Sequence, residues 1–415
     1  MKEIEKMARS AKLASAAMAR LDSELKNGAL LAMAEAVEKR GEDIKCGNIT
    51  DLKRAKEAGL SPALIDRLTL NDKRINSMAI GLREIAKLPD PVGEVLEEKV
   101  RPNGLRIKKV RVPLGVIAII YESRPNVTCD AAGLCLKAGN AVILRGGSEA
   151  INSNIIITEV LQEAAYSYGI PQGAVQLVET TEREAVFELI KMDEFIDVVI
   201  PRGSEEMIMS IKANATVPVI GHGKGLCHTY VDKEADLGMA ERICFNAKVQ
   251  RPGVCNAMET LLVHKDIAGE FLPKMIKKFE EAKVEIRGDA KAKSILPHIK
   301  NASEDDWSTE YLDLILSVKV VDSLSEAIDH INKYGSMHSE AIITRDEDAA
   351  RRFLKEVDAS SVFWNASTRF TDGGEFGMGA EIGISNQKLH ARGPMGVREL
   401  TSTKFVIFGS GQIRQ

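Results

Sequence analysis

Six consecutive apolar residues, Val116-Ile117-Ala118-Ile119-Ile120-Tyr121, limit the folds open to this chain more than any other stretch. A strand wet on one face alternates polar and apolar residues, whereas an unbroken apolar run is buried on both faces, as parallel sheets require. The run recurs with helical segments between. A small-residue helix over 129–138 leads to Ala141-Val142-Ile143-Leu144, and a helix over 153–167 leads to Val175-Gln176-Leu177-Val178. A helix over 182–192, the strand Val198-Val199-Ile200, another helix and Val217-Pro218-Val219-Ile220 follow. This rhythm predicts an α/β fold with a doubly wound parallel sheet.

The flanks read differently. Residues 4–26, 29–42, 49–58, 62–68 and 72–86 have helical periodicity with charged, solvated faces, and Gly28, Gly41, Gly59 and Pro62 punctuate them. Stretches 97–101 and 105–112 predict a β-hairpin, with Asn103-Gly104 favouring a type I′ turn. A second α/β region spans about 227–364, and the loop-rich remainder ends in a strand, Thr403-Lys404-Phe405-Val406-Ile407-Phe408. That strand and the hairpin form a candidate oligomerisation arm.

At 415 residues, with 44% apolar and 28% charged side chains, the chain is long enough for two or three soluble domains. A net charge of −4 argues against nucleic acid or an anionic membrane as partner. Six cysteines without CxxC spacing indicate neither a disulfide framework nor zinc, and no metal site is expected. No apolar run approaches the roughly 18 residues of a membrane span. The expected location is the cytoplasm.

Among the cysteines Cys255 stands apart. It follows Pro252-Gly253, a pair that breaks regular structure, and precedes the apolar run Thr260-Leu261-Leu262-Val263. A thiol presented on such a turn is a candidate nucleophile; a buried structural cysteine is the competing reading. Arg145-Gly146-Gly147-Ser148 and Arg202-Gly203-Ser204 each place a basic residue, glycine and serine before a helix. Such loops suit a phosphate, or are ordinary helix caps. No GxGxxG fingerprint is present.

Taken in order, the Pro113-Leu114-Gly115-Val116 strand and the loop it leads into at Asn126, then Ala138-Gly139-Asn140-Ala141-Val142-Ile143-Leu144-Arg145, Gly203-Ser204, Gly223-Lys224, Gln250 through Cys255, and Glu375-Phe376-Gly377-Met378-Gly379 resemble the aldehyde dehydrogenase superfamily. Ala327-Ile328, His330-Ile331, Tyr334-Gly335-Ser336 and His338-Ser339-Glu340 resemble, more narrowly, its acyl-phosphate-reducing branch. The resemblance implies an NADP-binding domain over 1–226, a catalytic domain over 227–364, and a return segment with an oligomerisation strand over 365–415. It implies NADPH-dependent reduction of L-glutamate 5-phosphate to L-glutamate 5-semialdehyde and phosphate, the second step of proline biosynthesis from glutamate. Cys255 would be the nucleophile forming a thioacyl intermediate, and Asn126, with the Cys255 backbone N–H, would hold the oxyanion. Hydrolytic members carry a glutamate where this chain has Ile220, which favours phosphate over water as the partner of the thioester.

The same resemblance assigns Arg145, Gly146, Gly147, Ser148, Gly203 and Ser204 to the cofactor, with Arg145 beside the small Ser148 leaving room for a 2′-phosphate. Glu310 matches a nicotinamide-ribose ligand, or is a surface carboxylate. Arg124, Arg251, His222 and Lys224 are the candidates for the substrate phosphate; an arginine there can equally be a structural ion-pair member. A homo-oligomer, dimer or larger, is expected, and glutamate kinase is the candidate protein partner. The alternatives are a non-phosphorylating aldehyde dehydrogenase and a non-catalytic nucleotide-binding scaffold.

Overall fold

A computed structural model describes residues 2–414 except His222. The chain forms two compact units. One comprises the chain up to Gly221, Gly377–Gly383 and the segment from Met395 onward; the other runs to Phe376 and adds Ile384–Pro394. The return segment is thus shared between them.

The first unit begins with five helices, α1 (Lys2–Met18), α2 (Ser23–Lys39), α3 (Gly41–Glu57), α4 (Pro62–Leu68) and α5 (Asp72–Lys87). The first break falls before Gly28, because Asp22 caps α2 by accepting the Leu25 N–H at 2.8 Å. Gly28 lies inside α2 for packing: a Cβ there would come 2.1 Å from the Tyr168 hydroxyl oxygen.

Next come β1 (Val95–Val100) and β2 (Arg106–Pro113), paired antiparallel, and the terminal strand Thr401–Phe408 adds to the other side of β2. The turn is not type I′. Only Gly104 has positive φ, 88°, and its N–H closes a turn onto the Arg101 carbonyl at 2.9 Å. Pro102 holds φ negative at the second position, which moves the turn back by one residue.

The doubly wound sheet is built from β3 (Val116–Tyr121), α6 (Asn126–Lys137), β4 (Ala141–Gly146), α7 (Ile151–Ser167), β5 (Val175–Leu177), α8 (Arg183–Leu189), β6 (Val198–Arg202) and α9 (Glu205–Asn214). Its strands are parallel in the order β5-β4-β3-β6, and β3 is buried at every position. The chain winds from β3 outward through β4 to β5, then returns to β6 on the other side of β3, so the loops after β3 and β6 flank a switch point. The strand expected over 217–220 reduces to one bridge, Val199 to Val219, beside Pro218, which has no N–H to donate.

The second unit alternates β7 (Cys227–Val231), α10 (Leu237–Val249), β8 (Met258–His264), α11 (Lys265–Glu281), β9 (Glu285–Gly288), α12 (Ala290–Ile295), β10 (Lys300–Asn301), β11 (Ile315–Val321), α13 (Leu324–Tyr334), β12 (Ser339–Ile343), α14 (Glu347–Glu356) and β13 (Ser361–Trp364). All seven strands are parallel, in the order β10-β9-β11-β8-β7-β12-β13. One core cluster includes Phe271, Met275 and Phe279, and a second includes Tyr230, Ile331 and Phe353. No helix among the described residues is long and apolar enough to cross a membrane.

Candidate active site

Cys255 sits in the turn between α10 and β8, where the Ala257 N–H bonds the Val254 carbonyl at 3.0 Å. It is half-buried, whereas Cys129, Cys135, Cys227 and Cys244 are fully buried. Burial pushes the Cys227 thiol well up, which keeps it a neutral donor; its Sγ lies 3.2 Å from the Cys255 carbonyl oxygen. Gly225 passes directly behind Cys255: a Cβ there would lie 2.4 Å from Cys255 Cβ and 2.5 Å from its Cα.

The turn is tied to a segment more than a hundred residues away. Asn256 Nδ2 donates to the Thr371 carbonyl at 2.9 Å, and the Thr368 hydroxyl donates to the Asn256 carbonyl at 2.7 Å. This brings in Arg369, whose Nε donates to Gln250 Oε1 at 2.9 Å. Burial, then the neighbouring Arg251, pulls the Arg369 guanidinium below its ordinary range. Two guanidiniums therefore stand by one cysteine turn. Arg369 was not legible in the sequence, since only the fold joins it to Arg251.

In the first unit the predicted residues gather at the carboxyl ends of the parallel strands. Asn126 opens α6, and its Nδ2 donates to Asp130 Oδ2 at 3.1 Å. Burial pushes the Asp130 carboxyl up to about 6 against that hydrogen bond. An acid with a raised native pKa binds more protons folded than unfolded. Its contribution is therefore fully present below about pH 4 and is lost as pH rises through about 6. Asp130→Asn keeps an acceptor for Asn126 without the charge. Its urea-unfolding stability is expected to lose this slope and to exceed wild type above pH 6.

Arg145 and Gly146 end β4, with Gly147 following and Ser148 opening a 3₁₀ turn. Arg145 Nη2 donates to the Thr181 carbonyl at 3.1 Å, and its Nε is buried without a hydrogen-bond partner. Burial pulls this guanidinium below its usual range. Ser204 caps α9, and its N–H donates to Glu122 Oε2 at 2.8 Å. Glu149 similarly accepts from the Ser123 hydroxyl at 2.7 Å, with Ser123 at φ 44°. The Ser204 loop thus holds the Glu122 carboxylate, and the loop after β3 holds that of Glu149, on backbone or hydroxyl donors, as an anion-binding loop would. Arg124 precedes α6 in the first unit, while Lys224, Arg251 and Glu310 lie in the second. His222 lies outside the described residues.

Two parallel α/β units, one with loop donors at a switch point and one with a cysteine on a turn before a buried strand, define the architecture of a cysteine-dependent dehydrogenase. The family model described as "Aldehyde dehydrogenase family" matches residues 1–313 and 299–406. A gamma-glutamyl phosphate reductase of Moorella thermoacetica is 60% identical over 413 residues, 100% of this chain and 99% of its own. One from Caldanaerobacter subterraneus is 59% identical over the whole of both chains. The crystal structure of the gamma-glutamyl phosphate reductase of Thermotoga maritima superposes with a TM-score of 0.98 at 48% identity, covering 100% of each chain. The chain belongs to the aldehyde dehydrogenase family and, within it, to the gamma-glutamyl phosphate reductases.

Proposed function

We propose that the protein reduces L-glutamate 5-phosphate to L-glutamate 5-semialdehyde and phosphate in the cytoplasm, in the second step of proline biosynthesis from glutamate. The observation that carries the chemistry is Cys255, a half-buried thiol on a turn that Gly225 lets approach closely. The substrate comes from the name shared by relatives near 60% identity. The Cys255 thiolate attacks the acyl carbon; a C–S bond forms, the bond from carbon to the phosphate oxygen breaks, and phosphate departs with the electron pair. The negative charge developing on the acyl oxygen falls to the Cys255 backbone N–H and to the Asn126 amide. That amide has two N–H donors and gives one to Asp130. The buried Ile220 offers no base to activate water, so the thioester persists.

A nicotinamide cofactor supplies the hydride that turns the acyl group into an aldehyde. The chain's residues fit it: the buried, unmatched Arg145 Nε and the donors around Gly146, Gly147, Ser148, Gly203 and Ser204 suit its hydroxyls and phosphates. We read the preference as NADPH, because Arg145 carries charge beside the small Ser148. Arg145→Ala is expected to weaken NADPH about tenfold and NADH much less, a charge-assisted hydrogen bond being worth about 1.5–3 kcal/mol. Dissociation constants by calorimetry check this, and equal losses would remove Arg145 from the 2′-phosphate. Glu310 takes the nicotinamide ribose. Arg251 with Arg369, and Arg124, His222 and Lys224 as further candidates, take the substrate phosphate. Phe405 and Ile407, 64% and 59% exposed on the terminal strand, support its use as a homo-oligomerisation arm. Glutamate kinase remains the candidate protein partner.

The test runs the reaction backwards. Glutamate semialdehyde and NADP should yield NADPH only when inorganic phosphate is present. NADPH formation without phosphate would mean that water cleaves the thioester, contrary to the reading of Ile220.

A further inference from the structure

Lys248 and Glu259 bracket the cysteine turn, one at the end of α10 and the other at the start of β8. Both side chains are fully buried, with Nζ and Oε2 2.6 Å apart. The other carboxylate oxygen, Oε1, accepts the backbone N–H of Leu312 at 3.1 Å. Leu312 has φ 53°, a left-handed conformation that leucine disfavours, and its side chain is 46% exposed, so little packing compensates. The hydrogen bond to Glu259 supplies a restraint that packing does not. Next to it, the Tyr311 hydroxyl bonds Asp306 at 2.6 Å and Ser317 at 2.8 Å, and the Arg287 guanidinium lies 5.2 Å from its ring centroid. The segment directly after Glu310 is thereby pinned twice.

A buried ion pair is a poor device for stability alone, because desolvating two charges offsets their attraction. Burial, with a smaller push from the nearby Glu310, raises the Glu259 carboxyl to about 7, and burial pulls the Lys248 ammonium down. Strain held in place at such cost points to function. We propose that Lys248 and Glu259 are positioning residues that tie the turn carrying Cys255 to the segment carrying Glu310, and so set where the ribose-binding carboxylate stands relative to the nucleophile. This rests on the reading of Glu310 given above. A carboxylate is needed because each oxygen accepts from a different donor. The amide of glutamine has one oxygen, so either Lys248 or Leu312 would meet an NH₂ group.

Glu259→Gln is therefore expected to raise the calorimetric Kd for NADPH about tenfold, the lower end for a supporting-residue loss, with a parallel fall in kcat/KM. In a Glu310→Gln background the same substitution should add nothing, since the group it positions is already lost. Leu312→Gly, which removes the penalty on the left-handed conformation, should restore part of the affinity to Glu259→Gln; a purely structural role would not give this rescue. Should Glu259→Gln not fold, the double variant Lys248→Met, Glu259→Leu replaces the pair by apolar volume and carries the same expectations. If Glu310→Gln weakens NADPH while Glu259→Gln costs as much with Glu310 absent as with it present, the positioning role is overturned and the ribose reading stands. If Glu310→Gln leaves the Kd unchanged, the ribose reading falls and takes the positioning role with it.

Discussion

Cys255→Ala should lower kcat for semialdehyde formation by at least about 10⁴-fold, the scale of loss when a covalent nucleophile is removed. Alanine keeps the backbone of the turn, and the Cys255 carbonyl that receives the Cys227 thiol is untouched. The variant should therefore fold as wild type, bind NADPH with unchanged Kd, and release no phosphate from glutamyl phosphate in a single turnover. Circular dichroism, calorimetry and a phosphate-release assay read these separately. Phosphate release at an appreciable rate would mean that another group attacks the acyl carbon, and the covalent scheme would fall.

Gly225→Ala should produce the next largest loss, although residue 225 carries no reacting group. Its Cβ would lie 2.3 Å from the Cys255 carbonyl oxygen and 2.5 Å from Cys255 Cα, far inside contact distance. Both atoms are backbone, so no rotamer change relieves the clash, and the turn itself must shift. A misplacement of about 1 Å at a reacting centre costs about 10²-fold in rate, and overpacking adds about 1–3 kcal/mol of destabilisation. The decisive comparison is the rate of phosphate release set against cofactor Kd. A slow acylation step with normal NADPH binding fits a displaced thiol; unchanged acylation would show that the turn accommodates a methyl group without moving Cys255.

Much of this molecule is legible in local sequence. The unbroken apolar runs mark strands buried on both faces, and β3 is buried throughout. Pro252-Gly253 marks the turn that carries Cys255, because those residues impose or release φ wherever they stand. Where local reading slipped, a neighbour or a distant contact outweighed it. Asp22 capped α2 ahead of Gly28, and Pro102 displaced the hairpin turn.

Periodicity and turn chemistry depend on residues a few positions apart, so the sequence alone determined the α/β alternation, the buried strands and the cysteine at the break. Only the tertiary structure decided which distant residues support that cysteine. Gly225 behind it, Arg369 held by Gln250, Asp130 on Asn126, and Glu259 reaching Leu312 each pair groups by where the sheets place their ends. The physical reason is that close packing and hydrogen bonding act through space at a few ångströms, and chain separation carries no record of that distance.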